Sequence, residues 1–98
     1  MLFRSSVVRA VVLYDEAPDP QRYAEHVELC AKVPGATFRH GKVFGAAMGD
    51  PPHAYYAEFE WPDKDAFKGA VRSPEFAETG KDAMAMGKPF TVQFVELA

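Results

Sequence analysis

The sequence predicts a two-layer α+β domain with the element order β-α-β-β-α-β, and three observations carry that expectation. Four short segments rich in β-branched and aromatic residues alternate in polarity. Asp19-Pro20 and Ser73-Pro74 open helical stretches between them. The chain has 98 residues, 48% hydrophobic and 26% charged, which is the composition and length of a single globular domain over 1–98.

Each element follows from its local signals. Val7 to Tyr14 is a β-branched run that stops at Asp15, and the acidic, proline-containing stretch to Pro20 breaks it. Asp19 then supplies an N-cap and Pro20 a first-turn proline for a helix with apolar groups at Tyr23, Val27 and Cys30, running to Val33 before Pro34-Gly35. Ala36 to Gly45 alternates as a second strand, with Gly41 marked as a bulge position, and Gly45 to Pro52 is a connection. His53 to Trp61 alternates again, placing His53, Tyr55, Ala57, Phe59 and Trp61 on one side of a third strand. Asp63 caps a helix with Ala66, Phe67, Ala70 and Val71 on its apolar side. Ser73-Pro74-Glu75 restarts it to about Met86, with Gly80 weakening the middle, and Phe90 to Leu97 forms the last strand.

This order is a ferredoxin-like plan, in which both helical segments cover one face of the sheet. The other face should read polar if it meets water. It does not: the first strand is apolar on both faces apart from Arg9, and the last strand carries Val95 and Leu97 opposite Phe90, Val92 and Phe94. A second copy packed sheet on sheet covers that face most economically, so a homodimer is expected.

Charge and cysteine content narrow the function. Eleven Lys and Arg against 14 Asp and Glu give a net charge of −3, without the basic stripe that nucleic acid requires, so no nucleic-acid partner is expected. The single Cys30 cannot form an internal disulfide or a cysteine metal site, which suits a reducing cytoplasm. Residues 1–6 lack a signal-peptide run, and no stretch approaches the ~20 apolar residues that span a bilayer, so no membrane partner is expected. Three scattered histidines without metal-ligand spacing, and no dinucleotide or phosphate-binding glycine pattern, lead to the expectation of no metal and no cofactor.

His26 lies three residues after Tyr23 and four before Cys30, at the margin of the helix stripe that faces the sheet, where a half-buried imidazole is expected. Such a ring serves either as a packing histidine bonded to a carbonyl or as a general acid/base, because its pKa is easily brought to working pH. His40 and His53 share strand faces with aromatic residues and are placed to line one cavity, although His53 abuts Pro51-Pro52 and equally suits a surface position. Cys30 is read as a small buried apolar residue rather than a nucleophile, and Glu58 and Glu60 as residues of an edge or rim. Met84, Met86 and Phe76 fit either plain core or the wall of a pocket for an uncharged ligand. The eight Phe, four Tyr and one Trp suffice for a core plus an aromatic-lined pocket, for which Tyr23, His40, Tyr55, Phe59, Trp61 and Phe90 are the candidate lining residues.

These features together resemble the EthD family of the dimeric α/β-barrel superfamily, over about Val7 to Leu97. The resemblance rests on the first strand ending at Tyr14, the Asp19-Pro20 helix start, Tyr23, and His26 eight positions before Pro34-Gly35. It extends to the aromatic third strand, Asp65-Ala66-Phe67, Ser73-Pro74-Glu75 and Lys88-Pro89-Phe90. It implies a ferredoxin-like protomer, a sheet-to-sheet homodimer and work on a small hydrophobic organic molecule. Methylmuconolactone isomerases, polyketide dehydratases and anthrone oxygenases have similar folds, so it also implies proton-transfer chemistry without a prosthetic group. His26 matches the helix histidine common in EthD-like proteins, whereas Val27-Glu28 stands where members often carry leucine and proline, and no thiol lies on the third strand.

Two functions are therefore expected to compete. The first is a cofactor-free isomerase, dehydratase or oxygenase with His26 as acid/base. The second is a non-catalytic binder that carries a hydrophobic intermediate of ether or aromatic degradation in the same apolar cavity. A second polar group beside His26, such as His40, Tyr55 or Tyr23, favours the enzyme.

Overall fold

The computed structural model describes residues 6–98, and the N-terminal residues read for a signal peptide lie outside the described residues except Ser6. The elements are β1 (Val8–Tyr14), α1 (Pro20–Cys30), β2 (Thr37–Lys42), β3 (Tyr55–Trp61), α2 (Lys64–Val71), α3 (Pro74–Ala85) and β4 (Phe90–Glu96). They build a four-stranded antiparallel sheet in the order β2-β3-β1-β4, the ferredoxin-like arrangement expected from the sequence.

The helix starts follow the capping logic. Asp19 accepts from the Arg22 amide at 2.9 Å with Pro20 at the first turn, Asp63 accepts from the Ala66 amide at 2.8 Å, and Ser73 accepts from the Phe76 amide at 3.2 Å. The third cap makes α2 and α3 separate helices. Several boundaries are tighter than the alternation suggested. Helix α1 ends at Cys30 and not Val33, β2 at Lys42 and not Gly45, and β3 begins at Tyr55 and not His53. Gly41 is no bulge, because the β2-β3 register runs unbroken through its pairing with Tyr56.

Register sorts the side chains. Val8, Ala10, Val12 and Tyr14 lie opposite Trp61, Phe59, Ala57 and Tyr55 on one flank, and Glu96, Phe94, Val92 and Phe90 on the other, all on the helix side. Val8, Ala10, Cys30, Val33, Phe59, Trp61 and Ala70 form one buried cluster, and Val12, Tyr14, Tyr23 and Ala57 another. The turn after α1 is fixed to this core by Trp61, whose indole N–H donates to the Pro34 carbonyl at 3.1 Å. Gly35 takes the left-handed φ of 69° that the turn requires.

The helix layer does not extend fully over β4. Val92 and Phe94 point to the helix side yet remain 44% and 59% exposed. A cleft is left along that edge of the sheet.

The opposite face corrects one expectation. Glu58 and Glu60 occupy β3, an inner strand, and not an edge or rim. The Arg39 Nε–H donates to Glu58 at 2.6 Å, the Arg9 Nε–H donates to Glu60 at 2.8 Å, and the Tyr56 hydroxyl donates to Glu58 at 2.7 Å. Burial opposes the Glu58 charge, but Tyr56 and Arg39 outweigh it and hold its pKa below the usual carboxylate value. This face is therefore mixed, a closed charge network beside Val11, Leu13 and Val95. Among the described residues no helix is long and apolar enough to cross a membrane.

Candidate functional site

The β4 cleft deepens into a cavity of about 250 Å³ between the sheet and α3. It is lined by Ala10, Val12, Tyr14, Phe59, Phe90, Val92 and Phe94 from the sheet, His26 from α1, and Phe76, Thr79, Gly80 and Ala83 from α3. Gly80, read from sequence as a weakness in the helix, opens the wall: a Cβ placed there would meet nothing within 4 Å. The missing side chain gives room to the cavity.

His26 is more buried than the half-buried position expected, at 4% exposure, because α3 packs across α1 at this point. Its Nδ1 lies 2.8 Å from Oδ2 of Asp82 on α3. Arg22, one helical turn before His26, grips the same carboxylate with Nη2 donating to Oδ1 at 2.6 Å and Nη1 donating to Oδ2 at 3.1 Å. The Arg22 hydrogen bond holds the Asp82 pKa below its ordinary value against the effect of partial burial, and the His26 bond adds to it. An ionised Asp82 accepts the Nδ1 proton of His26, which leaves Nε2 as the unprotonated nitrogen of the neutral ring. The arrangement can orient an imidazole and stabilise the positive charge it acquires on taking a proton.

The other candidates divide between locations. Phe59 and Phe90 line the His26 cavity. Tyr23, His40 and Tyr55 line a separate surface cavity of about 350 Å³ with Pro18, Pro20, Ala24 and Val27, where Nδ1 of His40 lies 2.7 Å from the Tyr55 hydroxyl. Trp61 is wholly buried in the core and lines neither cavity. His53 stands apart from His40, with Nδ1 3.2 Å from Asp15. Cys30 is buried, and burial pushes its thiol up to about 12, so it stays protonated and inert at neutral pH.

Three residues of this arrangement were not singled out in the sequence: Tyr14, Asp82 and Arg22. Tyr14 carried a signal, since it is the last inward residue of a strand whose earlier inward positions are Val8, Ala10 and Val12. Arg22 stands four residues before His26 and shares its helix face. Asp82 carried none, because only the packing of α3 on α1 brings it to His26. Tyr14 is 1% exposed, and burial raises its pKa, so it is a neutral O–H donor at physiological pH. The ring of Tyr23 meets it edge-on at 5.9 Å, with the Tyr23 hydroxyl buried and without a hydrogen-bond partner. No group of three or more His, Cys, Asp or Glu side chains among the described residues is arranged to hold a metal ion.

No protein-family model matches the sequence, and no curated protein matches it. Solved structures do. An EthD family protein of Bacillus halodurans is 28% identical, with a TM-score of 0.78, over 94% of this chain and 99% of that one. A dimeric ferredoxin-like protein of unknown function from Jannaschia is 18% identical, with a TM-score of 0.71, over 93% of this chain and 99% of that one. SnoaB of Streptomyces nogalater, a cofactor-independent oxygenase, is 22% identical in a variant form, with a TM-score of 0.62, over 95% of this chain and 94% of that one. The chain has the ferredoxin-like fold, and its likeness to the EthD family, carried in the sequence by Asp19-Pro20, Tyr23, His26 and Lys88-Pro89-Phe90, extends to the structure.

Proposed function

We propose that this chain acts on a small hydrophobic organic molecule by cofactor-independent proton transfer, with His26 as the acid/base. The observation that carries the reading is the buried His26 ring in the wall of an apolar cavity, with Nδ1 2.8 Å from Asp82. A packing histidine needs only one carbonyl acceptor, whereas here an ionised carboxylate, itself gripped by Arg22, fixes the ring's tautomer. The cofactor-independent oxygenase among the similar structures supports catalysis without a cofactor on this fold. Tyr23, His40 and Tyr55 form an auxiliary aromatic pocket in this reading, while Phe59 and Phe90 contact the substrate. The protomer works as a homodimer joined through the open face of the sheet. The dimeric ferredoxin-like neighbour supports that assembly, as do Val11, Leu13 and Val95 beside a self-neutralised charge network.

The test is turnover of candidate quinone and anthrone substrates by the wild type and His26→Asn, measured together with the melting temperature. Loss of ~10²-fold or more in turnover with the fold retained supports the assignment. Unchanged turnover in a destabilised variant overturns it. Equal, saturable binding by both proteins without turnover favours the carrier reading, which the apolar character of the cavity lining supports.

A further inference from the structure

The lining of the His26 cavity defines its ligand by elimination. Among its residues only Tyr14, His26 and Thr79 have polar side chains, and none carries a fixed charge. The Thr79 hydroxyl donates to the Phe76 carbonyl at 2.6 Å, so its proton is spent within α3. Nδ1 of His26 belongs to Asp82, and the nearby guanidinium of Arg22 is neutralised by the same carboxylate. For a ligand there remain two acceptors, Nε2 of His26 and the oxygen of Thr79, and one donor, the O–H of Tyr14.

We propose that the substrate is a neutral carbonyl compound with an apolar body and an acidic C–H next to the carbonyl, and that Tyr14 is a second catalytic residue that holds its oxygen. This deepens the proton-transfer reading of His26 and rests on it. Nε2 of His26 takes the proton from the carbon beside the carbonyl, and the C–H electron pair becomes a C=C bond. The C=O π pair moves onto oxygen, where the Tyr14 O–H donates to the developing enolate. Return of the proton from His26, to the same or a conjugated carbon, restores the carbonyl and the neutral ring. No electrons leave the pair of molecules. Tyr23 fits as support, because its buried hydroxyl has no partner beside Tyr14 and becomes useful once Tyr14 turns its own O–H to a ligand. A carboxylate or phosphate has no counter-charge in this lining, so charged acids are excluded as substrates.

The experiment follows exchange of the α-protons of 2-tetralone in D2O by NMR, with wild type, Tyr14→Phe and His26→Asn at matched buffer and pH. Binding of 2-naphthol and 2-naphthoate to the wild type is measured alongside by fluorescence. The expected results are exchange above the buffer rate, a ~10²–10³-fold loss in Tyr14→Phe at unchanged melting temperature, and roughly tenfold or more preference for 2-naphthol. No acceleration by the wild type, or equal binding of the naphthoate, overturns the proposal without needing any variant to fold. Exchange lost in His26→Asn but kept in Tyr14→Phe removes the role of Tyr14 and leaves the His26 reading standing. Exchange kept in His26→Asn removes both.

Discussion

Replacing Asp82 with Asn changes almost nothing in shape and nearly everything in how His26 is held. The carboxylate accepts three charge-assisted contacts, two from Arg22 at 2.6 and 3.1 Å and one involving Nδ1 of His26 at 2.8 Å. An amide has one acceptor oxygen. The shortest contact, to Nη2 of Arg22, claims it, which turns the amide N–H₂ towards Nη1 of Arg22 and Nδ1 of His26. Nδ1 must then accept, so the ring's proton moves to Nε2 and the cavity-facing nitrogen can no longer take one. Turnover should fall by ~10²–10⁴-fold. Stability should fall less. Hydrogen bonds to charged groups contribute about 1.5–3 kcal/mol, and the one-third exposure of the Arg22 side chain reduces this to about 1–2 kcal/mol, or roughly 5–15 °C in Tm.

The pH dependence has a definite sign. Arg22 lowers the folded-state pKa of Asp82, so its stabilisation is present above the unfolded value of about 3.9 and is lost as the pH falls through the lower folded value. Glu58 and Glu60 behave likewise but are common to both proteins and cancel in the difference. Urea unfolding of the wild type and Asp82→Asn between pH 7 and pH 3 should therefore show a gap that narrows below about pH 4. A gap that stays constant with pH, together with full turnover by the variant, would refute the role given to Asp82.

Light scattering at micromolar concentration should report a dimer, while a sharp monomer of 10.9 kDa would defeat the sheet-to-sheet assembly. Trp61→Phe should cost about 1–3 kcal/mol, through the lost bond to the Pro34 carbonyl and the space left in the core, without lowering turnover per folded molecule. A selective loss of turnover would place Trp61 at the site instead. The Cys30 thiol, pushed up to about 12 by burial, should ignore a disulfide reagent in the native protein and react on unfolding. Rapid reaction of the native protein would contradict that burial.

Local signals served where the cause of structure is local. Asp19, Asp63 and Ser73 announce their helices because each cap bond spans three residues, and alternation reveals strands because side chains change faces at every step. The same logic marked His26 at the margin of the inward stripe of α1. It failed where distance in sequence is large. Asp82 lies 56 residues from His26, and nothing in the composition of α3 distinguishes it from other helix acids. The separation of His40 and Tyr55 from His26 is tertiary too, since α1 stands between two cavities that the aromatic pattern merges into one. Glu58 misled for a related reason: a polar residue on the open face reads as a rim until the arginines of two neighbouring strands are found to enclose it.

Three histidines in three settings give the most direct test of which cavity is functional. His26 lines the cavity beneath α3, His40 lines the one beside Tyr23 and Tyr55, and His53 pairs with Asp15 and lines neither. The measurement is a titration with 2-naphthol, following the ring C–H resonances of all three histidines. The account predicts saturable shifts at His26, lost in Ala83→Phe, which fills the cavity from α3, with His53 silent throughout. Saturable shifts at His40 with His26 unmoved would contradict it.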